Sequence, residues 1–339
     1  MNTSSKFPSD AEIVIVGVGG IVGSMLAYWF AELGQKNIVG LEKSSVIPSD
    51  FASTAHASDF VYNTTHDKLS NWTTAYSRDF YEENGFFLKK GGLEICRKDD
   101  DVLWEELKRK VASGKAFGTN VSLISASEAK EKFPLLDEES IRGAMWDPDA
   151  GLVVPRSQDV VNFAVENAKE KGALTTFTDT PAVGFEIENG RLTGVKTDKG
   201  TIKTEKVVIA SGIWGSLVGD MAGVSVPLMP VEHPLLFFGP LPEAQETEDF
   251  LVYPLLRDQG NSAYVRDTGK LHGGMLEWGF YEDKEPRIVD PEDIGNPEKT
   301  MMSDSMRHLD LEEVAEPLER ALETTPILNE LGWDERSSF

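Results

Sequence analysis

The sequence predicts an α/β domain with a parallel sheet, interleaved with an α+β domain that contains a largely antiparallel sheet. Three observations predict it. Residues 12–17 carry the unbroken apolar run Ile13, Val14, Ile15 and Val16, as expected of a strand covered on both faces. A glycine-rich turn, a helical stretch and a second short apolar strand at 37–41 follow, making a β-α-β unit of about 30 residues. After Pro227 the texture changes to short strands at 235–238, 263–266 and 273–278, which read as antiparallel.

Each element follows in order. The first helix is expected over 24–33, ending at Gly34, and 46–65 is polar and small enough to read as a loop. A helix is expected at 71–83, then at 86–96 a strand or a hairpin turned by Gly91-Gly92. Residues 102–112 form an amphipathic helix whose core side holds Trp104 and Leu107. The next helix, 125–133, is capped by Ser125 or Ser127 and stops before Pro134. From about 144 the α/β pattern returns, with a helix at 157–171 and a strand at 173–177. Residues 182–188 and 191–197 form a hairpin around Asn189-Gly190, a dipeptide suited to a tight primed turn. A strand at 206–210 runs into Ser211-Gly212, and a late helix lies at 312–322. Residues 1–85 and 144–228 are thus assigned to the parallel domain, 86–143 and 229–325 to the antiparallel one, and 326–339 to a tail.

Composition excludes several functions. The 339 residues hold 33 Lys and Arg against 57 Asp and Glu, a formal charge of −24. That balance argues against nucleic acid or an anionic membrane as partner, since both require positive charge, and it suits solubility. Cys96 is the sole cysteine, so neither an internal disulfide nor a thiolate metal cluster forms. His66, His272 and His308 have no partners at metal-ligand spacing, so no metal is expected. The acid-rich run 282–292 reads as a solvated loop. The first ten residues lack a signal pattern and no run approaches the roughly 20 apolar residues of a membrane span, so the cytoplasm is the expected location.

The chemistry begins at Gly17-Val18-Gly19-Gly20-Ile21-Val22-Gly23. Glycines there permit tight curvature, close approach of pyrophosphate to the backbone and close packing of helix on strand, while the helix N-terminus offers N–H groups to phosphate. Glu42, with Lys43 beside it, closes the second strand 19 residues beyond Gly23, where a carboxylate accepts hydrogen bonds from ribose. The usual Gly-x-Gly-x-x-Gly spans six positions, and here the glycines spread over seven. Counting from Gly17 puts Val22 at the third glycine; counting back from Gly23 puts Val18 at the first.

The next run is Ala52-Ser53-Thr54-Ala55-His56-Ala57. With it the chain resembles the FAD domain of dimethylglycine oxidase and its relatives, dimethylglycine and sarcosine dehydrogenases, within the D-amino acid oxidase-like FAD-dependent oxidoreductases. The family has Gly-Ser-Thr-x-His here, with the histidine joined covalently to the flavin 8α carbon; this chain has Ala52 for the glycine. Fourteen residues part His56 from Glu42, enough to reach up to roughly 46 Å at about 3.3 Å per residue, and a neutral imidazole is a competent nucleophile. Further matches are Gly91-Gly92-Leu93-Glu94, Asp147 to Leu152, Val207 to Trp214, Leu255-Leu256-Arg257-Asp258 and Tyr264-Val265-Arg266.

The resemblance implies an α/β FAD-binding (Rossmann-like) domain interleaved with an α+β substrate domain. It implies FAD held by Gly17, Gly19, Gly20, Ile21, Val22, Gly23, Glu42 and Lys43, with Ser53 and Thr54 beside the covalent His56. Val183 would pack on the adenine side, and Gly212 would belong to the second cofactor-contacting turn. His233 and Tyr264 fall at active-site positions, although Pro234 and Leu235 replace the family's Gln-Tyr and Val265 its second tyrosine. Arg257 or Arg266 is suited to a substrate carboxylate. The implied reaction is oxidation of a small-molecule amine, dimethylglycine ahead of sarcosine, with hydride passing from an N-methyl carbon to flavin. Hydrolysis then releases formaldehyde, and oxygen or an electron-transfer flavoprotein is the acceptor. Family members continue past the segment matching 327–333, so the chain reads as truncated, a fragment, or half of a split enzyme completed by a partner chain. The alternatives are a non-catalytic remnant or subunit, an oxidase or dehydrogenase of D-amino acids or another secondary amine, and, more weakly, a nicotinamide-dependent dehydrogenase.

Overall fold

The computed structural model describes residues 7–63, 66–281, 287–294, 306, 309 and 311–334. The chain divides into two units. The first comprises 1–58, 156–231 and 288–307, the second 59–155, 232–287 and 308–339.

In the first unit four parallel strands are ordered Val207–Ile209, Ile13–Val16, Ile38–Leu41 and Leu174–Phe177. The apolar run that announced the first strand is buried on both sides, as a covered parallel strand requires. Ile13 and Ile15 pack on one face with Ala27, Ala31, Val161 and Val165 of helices Ile21–Glu32 and Ser157–Glu170. Val14 and Val16 pack on the other with Phe185, Val195 and Ile202, which belong to a three-stranded antiparallel sheet of Ala182–Glu188, Arg191–Thr197 and Gly200–Lys203. Asn189 and Gly190 turn its hairpin at φ 51° and 76°, the left-handed pair that a primed turn needs. The first helix starts at Ile21, three residues ahead of the expected 24, because Gly20 serves as its N-cap.

The second unit is built on a seven-stranded sheet ordered Leu235–Phe238, Leu276–Phe280, Ala263–Asp267, Leu255–Asp258, Gly92–Arg97, Ile141–Asp147 and Ser122–Ser125. Every pairing is antiparallel except that of Leu255–Asp258 with Gly92–Arg97. One face carries Leu93, Ile95, Leu236, Leu256, Val265 and Trp278, sealed by helices Ala126–Lys132 and Leu311–Thr324. Ser125 caps the first of these in a reciprocal capping box with Glu128. The α/β plus antiparallel architecture is therefore as expected. No helix among the described residues is long and apolar enough to cross a membrane.

Three expectations need correction. Residues 86–96 are not one strand or a hairpin: Phe87–Lys89 joins a small sheet with Gly151–Val153, while Gly92–Arg97 enters the large one. The unit boundaries fall after Ser58 and Pro155 rather than at 85 and 144, because Phe60–Val61 pairs with Gly151–Val153 and Ile141–Asp147 with Gly92–Arg97. The strand expected at 273–278 begins at Leu276, after Gly273 and Gly274 at positive φ. His308 and residues 282–286 of the acid-rich run lie outside the described residues.

Candidate active site

In the glycine turn, the seven-position spacing resolves into separate tasks. Gly17 adopts φ +93°, and a Cβ there would stand 2.5 Å from the Ala210 carbonyl oxygen. A Cβ on Gly23 would collide with the Gly17 carbonyl, so Gly23 sets the close packing of helix on strand. Val18, the additional side chain between them, is fully buried. Its room comes from Gly40 on the neighbouring strand, where a Cβ would lie 2.9 Å from Val18 Cγ1. The extra position is thus absorbed by a second glycine outside the motif.

Gly19 donates its N–H to Glu42 Oε2 at 2.8 Å, and Ser44 donates to Oε1 at 2.9 Å. Two backbone donors fix this buried carboxylate while leaving lone pairs for a ribose hydroxyl. Ile21 N–H is taken by Thr54 Oγ1 at 3.1 Å; Val22 and Gly23 sit in the first turn, where N–H groups have no intrahelical acceptor. A Cβ on Gly20 would meet nothing closer than 3.6 Å, so the space beside the helix end is open. An open helix N-terminus with an anchored carboxylate at the end of the next strand fits a dinucleotide such as FAD.

Ser53–His56 forms a short 3₁₀ turn. Arg156 Nη2 donates to the carbonyls of Ala55 at 3.3 Å and Ala57 at 3.0 Å. Burial, and next the Arg156 charge, lower the His56 pKa below its ordinary value, opposed by Asp50. Lys43 Nζ stands 4.7 Å from the Trp214 ring centroid and 5.8 Å from that of Phe51, which joins it to the turn Gly212–Trp214. Gly212 has φ +53° with open space where a Cβ would be. Val183 is 53% exposed and sits at a register shift between Ala182 and Gly184.

In the second unit, register aligns Leu235, Gly279, Tyr264, Arg257, Glu94 and Met145 across six strands on the face opposite the helical core. Tyr264 lies over Gly279, where a Cβ would strike its ring. Its ring contacts Phe60 at 5.3 Å and Tyr281 at 6.0 Å, and Tyr281 stacks edge-on with His233 at 4.7 Å. The two expected active-site residues are therefore connected through Tyr281. Arg257 rests over the Tyr62 ring at 4.7 Å and borders a cavity of about 550 Å³ that Phe60, Tyr62, Tyr81, Glu94 and Lys110 also line. Lys110 is paired with Glu94 there. Burial raises the Tyr62 phenol well above its ordinary pKa, so it stays a protonated donor, bonded to the Leu93 carbonyl at 3.3 Å.

Arg266 is a correction. It is 1% exposed and held 2.6 Å from Glu277, its partner on the next strand. It is a structural charge, unavailable to a substrate. Arg156 and Tyr281 were missed: each acts through a contact formed only in the fold, and neither stands in a motif. Among the described residues no group of His, Cys, Asp and Glu has the arrangement to hold a metal ion.

Against known proteins, the family model described as FAD dependent oxidoreductase (DAO) matches residues 12–337. Human mitochondrial sarcosine dehydrogenase is 28% identical over 97% of this chain and 34% of its own length. Human mitochondrial dimethylglycine dehydrogenase is 26% identical over 97% of this chain and 37% of its own. The chain thus spans about a third of the length of the curated relatives it matches. Among solved structures, L-proline dehydrogenase from P. horikoshii superposes with a TM-score of 0.76 at 26% identity, over 97% of this chain and 80% of that one.

Proposed function

The chain belongs to the FAD dependent oxidoreductase family, and from that premise we propose that it oxidises a small N-methylated amino acid, dimethylglycine first among them. FAD, the family's cofactor, supplies the hydride acceptor when bound. The turn from Gly17 to Gly23 would hold the pyrophosphate and Glu42 the ribose. Lys43, Val183 and Gly212 would flank the cofactor, and Ser53, Thr54 and His56 its flavin end, with His56 as the point of attachment.

The observation that carries the substrate class is the pairing of Arg257 with Tyr264 across adjacent strands. Directly opposed residues on a sheet stand close enough to grip one small molecule. Arg257 binds the carboxylate through its guanidinium fork, and the Tyr264 hydroxyl orients the amine nitrogen. His233, linked through Tyr281, serves as proton acceptor, so that the substrate reaches the reacting geometry as the neutral amine. Loss of hydride from the N-methyl carbon leaves an iminium, which water converts to the demethylated amine and formaldehyde. The human relatives named above, dehydrogenases of sarcosine and dimethylglycine, support N-methylated glycines over other amines. The acceptor is dioxygen or an electron-transferring flavoprotein.

The test is turnover on a panel of dimethylglycine, sarcosine, proline and D-amino acids, scored for formaldehyde and peroxide. Highest kcat/KM on dimethylglycine with stoichiometric formaldehyde is expected. Turnover confined to D-amino acids, without formaldehyde, would overturn the assignment.

A further inference from the structure

The Ser53–His56 turn is fastened at two places. Thr54 Oγ1 accepts from Ile21 N–H at 3.1 Å, at the start of the first helix. Arg156 Nη2 bridges the carbonyls of the residues immediately before and after His56, at 3.3 and 3.0 Å. One planar group gripping both neighbours fixes the main chain from which the imidazole projects. Arg156 itself sits at the N-cap of helix Ser157–Glu170, whose Val160, Val161, Ala164 and Val165 are fully buried. The clamp is therefore mounted on a rigid element, which is what precise placement of a reactive group requires.

We propose that Arg156 is a positioning residue for covalent attachment of FAD, orienting His56 toward the flavin 8α carbon. This rests on the reading of His56 as the attachment residue. In the step, a bond forms between the unprotonated imidazole nitrogen and the 8α carbon, one proton leaves that carbon, and one leaves the other imidazole nitrogen. The two electrons released enter the flavin and are removed by dioxygen, which takes up both protons and becomes hydrogen peroxide. Arg156 has a second effect by charge. Only the neutral imidazole carries a free lone pair, and the Arg156 cation, after burial, opposes protonation of His56, whereas the Asp50 carboxylate favours it. Removing Arg156 raises the His56 pKa, so a higher pH is needed for the same neutral fraction.

The experiment uses protein expressed in flavin-depleted cells, then given FAD. Bound FAD is read from the visible spectrum, and covalent FAD from fluorescence that stays with the polypeptide through denaturing electrophoresis. Wild type, R156K, R156Q and H56A are compared across pH. In wild type the flavin becomes covalent and in H56A it does not. R156Q binds FAD but incorporates it covalently at least tenfold more slowly, with the half-maximal pH moved upward. R156K keeps the charge, but its shorter side chain does not carry a nitrogen as far as Arg156 Nη2, which bonds both carbonyls, so its rate falls while its pH midpoint stays near wild type. R156K and R156Q matching wild type in rate and pH profile would overturn the role of Arg156. Wild type that binds FAD but never attaches it would instead remove the His56 reading underneath.

Discussion

The two units carry their candidate chemistry in opposite ways. In the parallel unit the groups are mostly backbone: the glycines of the turn, the N–H groups at the first helix, and one carboxylate, Glu42, held by Gly19 and Ser44. They lie within a few dozen residues of one another. In the antiparallel unit the groups are side chains: Arg257 and Tyr264 face each other across two strands joined by a short turn, and Glu94 meets them only because its strand, distant in sequence, pairs in a given register. A site made of local backbone tolerates side-chain change but not added atoms. A site made of register depends on which partner each of two similar side chains meets across the strands.

The two arginines of the sheet give the sharpest break between these cases. Arg266→Gln should strand Glu277 in the interior and lower stability by about 3–5 kcal/mol, measured by urea denaturation. Arg257→Gln, at a half-buried position, should leave the urea midpoint nearly unchanged and raise KM for a carboxylated amine by roughly ten- to a hundredfold, the range for loss of a charged hydrogen bond. The reverse pattern would exchange their roles.

For the backbone site, Gly23→Ala places a Cβ against the Gly17 carbonyl and should cost about 3 kcal/mol by overpacking, with FAD content falling in parallel. A variant that keeps its FAD and midpoint would show that the turn yields more than backbone contact allows. The compensation between Val18 and Gly40 is a smaller effect. Gly40→Ala should cost about 2 kcal/mol in wild type and little once Val18→Gly has vacated the space, a coupling that a double-mutant cycle measures directly. Smallest is Ser125→Ala, which removes one cap and should cost about 1 kcal/mol, with no change in KM.

The same contrast governs what was legible in the sequence. The β-α-β unit, the Asn189-Gly190 turn and the Ser125 cap were readable because each depends on neighbours in the chain. Gly40 was not, because its task is set by Val18 on another element. Arg257 and Arg266 look alike in sequence, and only the Arg266–Glu277 pairing on the next strand separates them. Gly91-Gly92 suggested a hairpin, yet Tyr62 and Trp146 occupy the space beside those glycines, so they serve packing rather than a turn. Arg156 stands in no motif and becomes informative only when its guanidinium is seen to bridge Ala55 and Ala57.

The central claim is that this chain binds FAD and uses it to oxidise an N-methylated amino acid. Mixing the purified yellow protein with dimethylglycine without oxygen, while recording the flavin's visible band, tests it most directly. Bleaching of the band, with formaldehyde formed in equal amount to the flavin reduced, is the predicted result. A yellow protein that dithionite bleaches but no N-methylated amino acid does would contradict it.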